Sequence, residues 1–251
     1  MMKRMWRRSL GWASGATLVA VLCVPTPAQA QISRVSGGGA SDLHQAVGVT
    51  FGGFFPKGES SRANGDVLVT DLDSLVFNIG DFKGATVSGE WLVGLGDFLE
   101  AGVSAGFYQR SVPSVYRTQV NANGSEITQD LKLRVVPVSA TVRFLPAGRG
   151  SVEPYVGAGI GAFRWHYSEI GEFVDFNDGT IFRDRYLADG TAYGPVVLGG
   201  VRFPFGTAMD VGGEVRYQRV EGDTKPAQSR LLGDKIDLGG WNAAVTLHVR
   251  F

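Results

Sequence analysis

The sequence predicts an all-β fold: an eight-stranded antiparallel up-and-down transmembrane β-barrel, with short turns at one end and long loops at the other. Three observations lead there. Apolar residues alternate with polar or small ones over stretch after stretch, and a period of two means a strand with one greasy face. The connections between these stretches alternate between short and long. The tripeptide Val-Arg-Phe occurs at 142–144, 201–203 and 249–251, each time closing such a stretch. After the N-terminal region, no segment approaches the ~18 consecutive apolar residues of a spanning helix.

The N-terminus reads as an export signal. Lys3, Arg4, Arg7 and Arg8 form a basic region, Gly11 to Val24 is apolar, and Ala28-Gln29-Ala30 is a small-x-small cleavage site. Residues 1–30 are therefore expected to be a cleaved signal peptide, 31–44 a flexible Gly/Ser-rich periplasmic lead-in, and 45–251 the barrel domain. The one cysteine, Cys23, falls inside the leader and follows Leu22, which does not fit a lipoprotein signal. The mature chain then has neither a disulfide nor a thiol site. Loss of the four leader bases turns 24 basic against 24 acidic residues into 20 against 24, a net charge of −4. That mild acidity argues against nucleic acid as a partner.

The strands follow in order. The first covers Gln45–Phe54, with Val47, Val49 and Phe51 on one face. The second covers Ala85–Val93, with Val87, Trp91 and Val93 opposite Thr86, Ser88 and Glu90. The third covers Phe98–Gln109, with Leu99, Val103 and Phe107 opposite Glu100 and Ser104. The fourth covers Leu131–Phe144, with Val136, Val138, Val142 and Phe144 opposite Ser139, Thr141 and Arg143. In the fifth, Glu153–Ser168, Val156, Ala158, Ile160 and Ala162 face away from Gly157, Gly159 and Gly161. The sixth covers Ala192–Phe203, with Val197, Val201 and Phe203 opposite Arg202. The seventh covers Ala208–Arg219, with Val211, Val215 and Tyr217 opposite Asp210, Glu214 and Arg216. The eighth covers Ile236–Phe251, with Trp241, Val245, Leu247, Val249 and Phe251 opposite Thr246, His248 and Arg250.

Short turns join strands two to three, four to five and six to seven. Long loops fill Phe55–Gly84, Arg110–Asp130, Glu169–Thr191 and Val220–Lys235. This is the layout of a membrane barrel with turns in the periplasm and loops outside. In the first loop Val67–Val69 and Leu75–Phe77 are apolar enough to pack. In the third, Asn177-Asp178-Gly179 between apolar runs is a hairpin signal, so the strands are expected to continue above the membrane.

Alternation alone does not say which face is outside. The polar face is rich in Gly, Ser, Thr and Ala and poor in Lys, which suits a narrow filled interior. Trp91, Tyr108, Phe144, Trp165, Phe203, Tyr217, Trp241 and Phe251 lie near strand ends, where an interfacial girdle belongs. The apolar face is therefore assigned to lipid, where every backbone polar group must be paired and the sheet must close, strand eight on strand one.

The inward face then carries Glu90, Glu100, Glu214, Arg143, Arg202, Arg216 and Arg250. Eight strands enclose only enough room for side chains, and charges buried there must pair. A salt-bridge plug is the plain reading; a gated polar path is the functional one. On the first, Glu214→Ala should cost more than Asp71→Ala, because only the former strands a buried arginine. Other chemistry is sparse. His166, Ser168 and Glu169 are the residue types of an outer-membrane lipid-modifying enzyme, but their spacing is merely sequential. Asp71, Asp73 and Asp81 could meet a divalent cation, although Asp-x-Asp is common in solvated loops. Gly157-x-Gly159-x-Gly161 lies within a strand, so it is read as relief of crowding and not as a nucleotide loop. No catalytic residue, metal site or cofactor is assigned.

A chain closing on such a strand with a terminal aromatic resembles small bacterial outer-membrane β-barrel proteins, the OmpA/OmpX/OmpW-like, porin-related eight-stranded class. The resemblance implies localisation in the cell outer membrane, with outer-membrane lipid and lipopolysaccharide as surroundings. It also implies insertion by the outer-membrane assembly machinery, which reads the last strand; carried onto this chain, that signal is Trp241, Val245, Leu247, Val249 and Phe251. No peptidoglycan-binding domain is expected after strand eight. Function is expected to be non-enzymatic, structural or by surface interaction through the external loops, with the ligand unknown. A channel for small or hydrophobic solutes is the alternative, and a lipid A-modifying enzyme a third.

Overall fold

The alternating stretches become one closed sheet. The computed structural model describes residues 44–206 and 208–251; the expected leader, and the lead-in apart from His44, lie outside them. The ring consists of β1 (Gln45–Pro56), β2 (Gly84–Gly94), β3 (Leu99–Val120), β4 (Glu126–Phe144), β5 (Glu153–Val174), β6 (Ile181–Phe205), β7 (Met209–Gln218) and β8 (Gly240–Arg250). Each strand pairs antiparallel with the next, and β8 returns to β1 with Val47 opposite Val249 and Phe55 opposite Trp241. Closure leaves no free edge, as a sheet in hydrocarbon requires. Gly96 and Gly206 adopt positive φ in two of the short turns, a conformation that costs glycine little.

The outward face is apolar around the whole barrel. Val47, Val49, Phe51, Val87, Val103, Val138, Val142, Ile160, Val215, Val245 and Leu247 are all exposed. An apolar belt of this extent far exceeds the patches a water-soluble monomer carries. Phe98, Phe144, Phe203, Phe205 and Phe251 ring the short-turn end, while Phe55, Phe107, Tyr193 and Trp241 mark the other border. Beyond Tyr193 the same outer face turns polar, with an exposed Arg164–Asp189 ion pair at 2.6 Å. The hydrocarbon-facing segments therefore end below these two residues. Two expected girdle members are corrected. Tyr108 and Trp165 are buried inside the barrel, because they share strand parity with Ser104 and Gly161 on the inner face.

Four strands run well past the belt. The hairpin of β3 and β4 extends to Val120 and Glu126, where the sequence suggested a long loop. That of β5 and β6 turns at Asp175–Thr180, beyond the Asn-Asp-Gly signal's flanking runs. The eighth strand begins at Gly240 instead of Ile236. Ile236 and Leu238 leave the wall and become part of the interior.

The chain between β1 and β2 folds back into the mouth. A one-turn helix, Val67–Asp71, buries Val67 and Leu68 completely, and Leu75-Val76 pairs with Val115-Tyr116 of β3. Leu231, Ile236 and Leu238, from the chain before β8, join them. Together with Phe54, Tyr108, Phe163 and Trp165 from the wall, they form an apolar core filling the long-loop half of the barrel.

Candidate functional site

Two buried polar assemblies stand out, one at each end of this core. The lower one is built by strand parity. Descending strands bring Arg143, Arg202 and Arg250 inward, each immediately before an outward phenylalanine. Ascending strands bring Glu100, Glu153 and Asp210 inward just after the turn. Register sets Glu100 opposite Arg143, Glu153 opposite Arg202 and Asp210 opposite His248.

The side chains close a loop of alternating sign. Arg143 donates to Glu90 at 2.5 Å, and Glu90 meets His248 Nε2 at 2.5 Å. His248 Nδ1 meets Asp210 at 2.7 Å, and Arg250 joins Asp210 at 2.7 Å to Glu153 at 2.8 Å. Glu153 lies 3.6 Å from Arg202, which forks onto both oxygens of Glu100 at 3.2 and 3.0 Å. Glu100 returns to Arg143 at 3.8 Å. A spur runs from Arg143 to Glu214 at 3.2 Å and on to Arg216 at 2.9 Å. Arg216 also reaches the paired hydroxyls of Ser104 and Ser139. The ring of Tyr155 is stacked between the guanidiniums of Arg143 and Arg202, each 5.1 Å from its centroid. Both nitrogens of His248 face carboxylates, an arrangement that only the doubly protonated ring fills with two donors. Arg149, from the turn after β4, adds a further cation 3.7 Å from Glu100, so with that ring charged five carboxylates face six cations.

β1 supplies no charge to this network but makes room for it: a Cβ on Gly48 would run into the His248 ring. A Cβ on Gly159 would likewise meet the Ala140 carbonyl, and one on Gly161 the Phe163 ring, so these glycines relieve crowding. Between this network and the apolar core lies a void of only about 50 Å³.

The upper assembly sits at the mouth, above the hydrocarbon belt. Asp71, Tyr167 and Glu169 are buried together, and Tyr167 donates to Asp71 at 3.1 Å. Burial pushes the Asp71 carboxyl up to about 7. Burial, with the Asp71 charge beside it, lifts Glu169 well above the ordinary carboxylate range. Both shifts favour the protonated carboxyls in this pair. Close by, Arg62 is bound by Asp66 and donates to the Asp237 carbonyl at 2.7 Å, tying the first loop to the last.

The remaining expectations separate cleanly. His166 lies on the outer face between Arg134 and Asp189, whereas Glu169 faces inward, so the His166-Ser168-Glu169 set does not converge. Asp81 accepts the Asn78 amide at 2.8 Å and Asp71 is engaged by Tyr167. Among the described residues no group of three or more such side chains could hold a metal ion. Trp241, Val245, Leu247, Val249 and Phe251 all face outward along β8. Sequence reasoning did not single out Glu153, Asp210 or His248 as charge partners. The regular placing of an acid just after each short turn was the available signal.

No family model matches the chain, and no curated protein matches it. Solved structures do. The outer membrane protein OprG from Pseudomonas aeruginosa aligns over 85% of this chain and 98% of its own, at 11% identity and a TM-score of 0.50. The chain has the fold of small bacterial outer-membrane β-barrel proteins. Neisserial surface protein A aligns over 86% of this chain and 100% of its own, at 14% identity and a TM-score of 0.47. The outer membrane protease OmpT from Escherichia coli aligns over 86% and 99%, at 10% identity and a TM-score of 0.42.

Proposed function

We propose that this outer-membrane barrel is a sealed, non-enzymatic scaffold that presents an ordered binding domain at the cell surface. The supporting observation is the filling of its interior. A ring of paired buried charges occupies one half, an apolar core drawn from the wall and two loops occupies the other, and the void between them is about 50 Å³. A solute path would require both to rearrange. The two long hairpins and the packed loops form a preorganised surface, which suits recognition because little ordering entropy remains to be lost on binding.

The test is electrical. Purified protein reconstituted in planar bilayers should give no steady single-channel steps in 1 M salt. Steps of reproducible size would overturn the sealed reading and favour a conduit for small solutes. On the same reading β8 is the segment the assembly machinery engages, through Trp241, Val245, Leu247, Val249 and Phe251.

A further inference from the structure

The mouth contains a pocket that the sealed scaffold leaves open to the outside. It encloses about 170 Å³. That is below the ~300–1,000 Å³ of drug-sized sites, so its occupant is small. Its floor is acidic and its walls are aromatic. Asp71 and Glu169 line the floor and are buried to 2% and 5% exposure. Gln129 beside them is buried to 3%. Tyr116, Phe173 and Phe176 are among the walls, and Tyr186 packs on Phe173 with ring centroids 4.3 Å apart.

Two acceptors in this floor are unused. Glu169 Oε1 is buried with no hydrogen-bond partner, and so is Gln129 Oε1. The Gln129 amide cannot simply turn to relieve this. Its nitrogen donates to the Tyr116 hydroxyl at 3.2 Å and to the Glu172 carbonyl at 3.0 Å, which fixes the oxygen as a free acceptor. Buried acceptors without donors are costly and uncommon. The one base lining the pocket, Arg230, is exposed at the rim and turned toward Asp184 at 3.9 Å.

We propose that this pocket binds a small primary ammonium ion carrying a compact apolar or aromatic body. The ammonium brings three N–H donors, suited to Glu169, Gln129 and Asp71, and aromatic walls favour a cation placed against their faces. Burial favours the protonated carboxyls of Asp71 and Glu169 when the pocket is empty, and an ammonium ion displaces a proton from them. Binding therefore releases a proton, and affinity rises with pH through the neutral range. The groups that set this titration are Asp66, Tyr167 and Glu169 around Asp71, with Tyr116, Tyr186 and Arg230 above.

The inference rests on the scaffold reading but has its own test. Protein purified from membranes in detergent is titrated calorimetrically with benzylamine in two buffers of different ionisation enthalpy. Benzyl alcohol serves as the uncharged analogue and tetramethylammonium as a cation without N–H. One saturable site with proton release is expected, with both analogues binding about tenfold more weakly or worse. Glu169→Gln should weaken benzylamine about tenfold or more. Phe176→Ala, at an exposed wall position, should weaken it roughly two- to fivefold. That second variant stands even if the first does not fold. The proposal fails if benzylamine does not saturate, if either analogue binds as well, or if both variants bind unchanged while migrating as folded barrels. A preparation that is silent in bilayers yet binds no amine sinks the pocket alone; one that conducts sinks the scaffold reading.

Discussion

Glu214 holds Arg143, Arg216 and the Tyr155 hydroxyl at once, inside a wall that admits no water from the lipid side. Its removal leaves two guanidiniums short of a counter-charge, so Glu214→Ala should cost about 3 kcal/mol or more. Asp71→Ala should cost less, about 1 kcal/mol, but not because the site is solvated, as a loop aspartate would suggest. Asp71 is buried, and its loss frees Glu169 from a like charge. The same pair fixes a pH dependence. A carboxyl raised in the folded state binds protons that the unfolded chain has released. Its contribution is therefore complete below about 4 and lost as pH climbs through about 7. The slope for this one group is at most about 1.4 kcal/mol per pH unit. Amide exchange in the helix Val67–Asp71 should accordingly show stronger protection at pH 5 than at pH 8 once corrected for intrinsic rates, and Asp71→Asn should flatten the difference. Equal corrected protection in the wild type would contradict the raised Asp71 carboxyl. Strand parity is enough to say on which side such groups sit. It cannot say that a loop folds back and buries one of them, because that contact lies 96 residues away, at Tyr167.

The repeated Val-Arg-Phe is best understood as one half of a hairpin rule. β4 and β6 each finish with an inward base between two outward apolar residues, in register with an inward acid near the start of the ascending strand before it. In β8 it is His248 that stands opposite the acid of β7, Asp210, and Arg250 reaches Asp210 and Glu153 by its side chain. Phe251 completes the seam by exchanging backbone hydrogen bonds with Gln45 at 2.9 and 3.2 Å. Deleting Phe251 removes the last rung and the terminal outward aromatic together. The truncated chain should accumulate outside the membrane and lose heat-modifiable migration on gels; normal migration would contradict the role assigned to β8. The strands within the belt are legible because lipid on one side and a packed lumen on the other enforce strict alternation. The upper parts of β3 and β4 are not, since water replaces lipid there and Gln109, Ser111 and Pro113 look like loop residues. The inward members, Val112, Ser114, Leu131 and Leu133, still keep the period of two.

Taken together, the ionic ring and the apolar core are two seals in series, made of different chemistry and anchored to different parts of the chain. The ring belongs to the wall, since its members sit on seven of the eight strands. The core belongs half to the wall and half to the chain segments 57–83 and 219–239. This organisation predicts how the lumen could be opened. Removing the first segment's plug, by replacing residues 59–82 with a short Gly/Ser linker, takes away Val67, Leu68, Leu75 and Phe82 but leaves every ion pair of the ring in place. That variant should insert normally and remain electrically silent. Arg143→Gly with Glu214→Gly thins the ring at its most crowded point but leaves the loops packed above, and it too should be silent, at a cost in stability of several kcal/mol. Only the combination should give steady steps, because only then does a water-filled column connect both ends. Conduction by the loop deletion alone would show that the ring is permeable and that the loops are the sole gate. In that case recognition at the surface and passage through the lumen would be coupled.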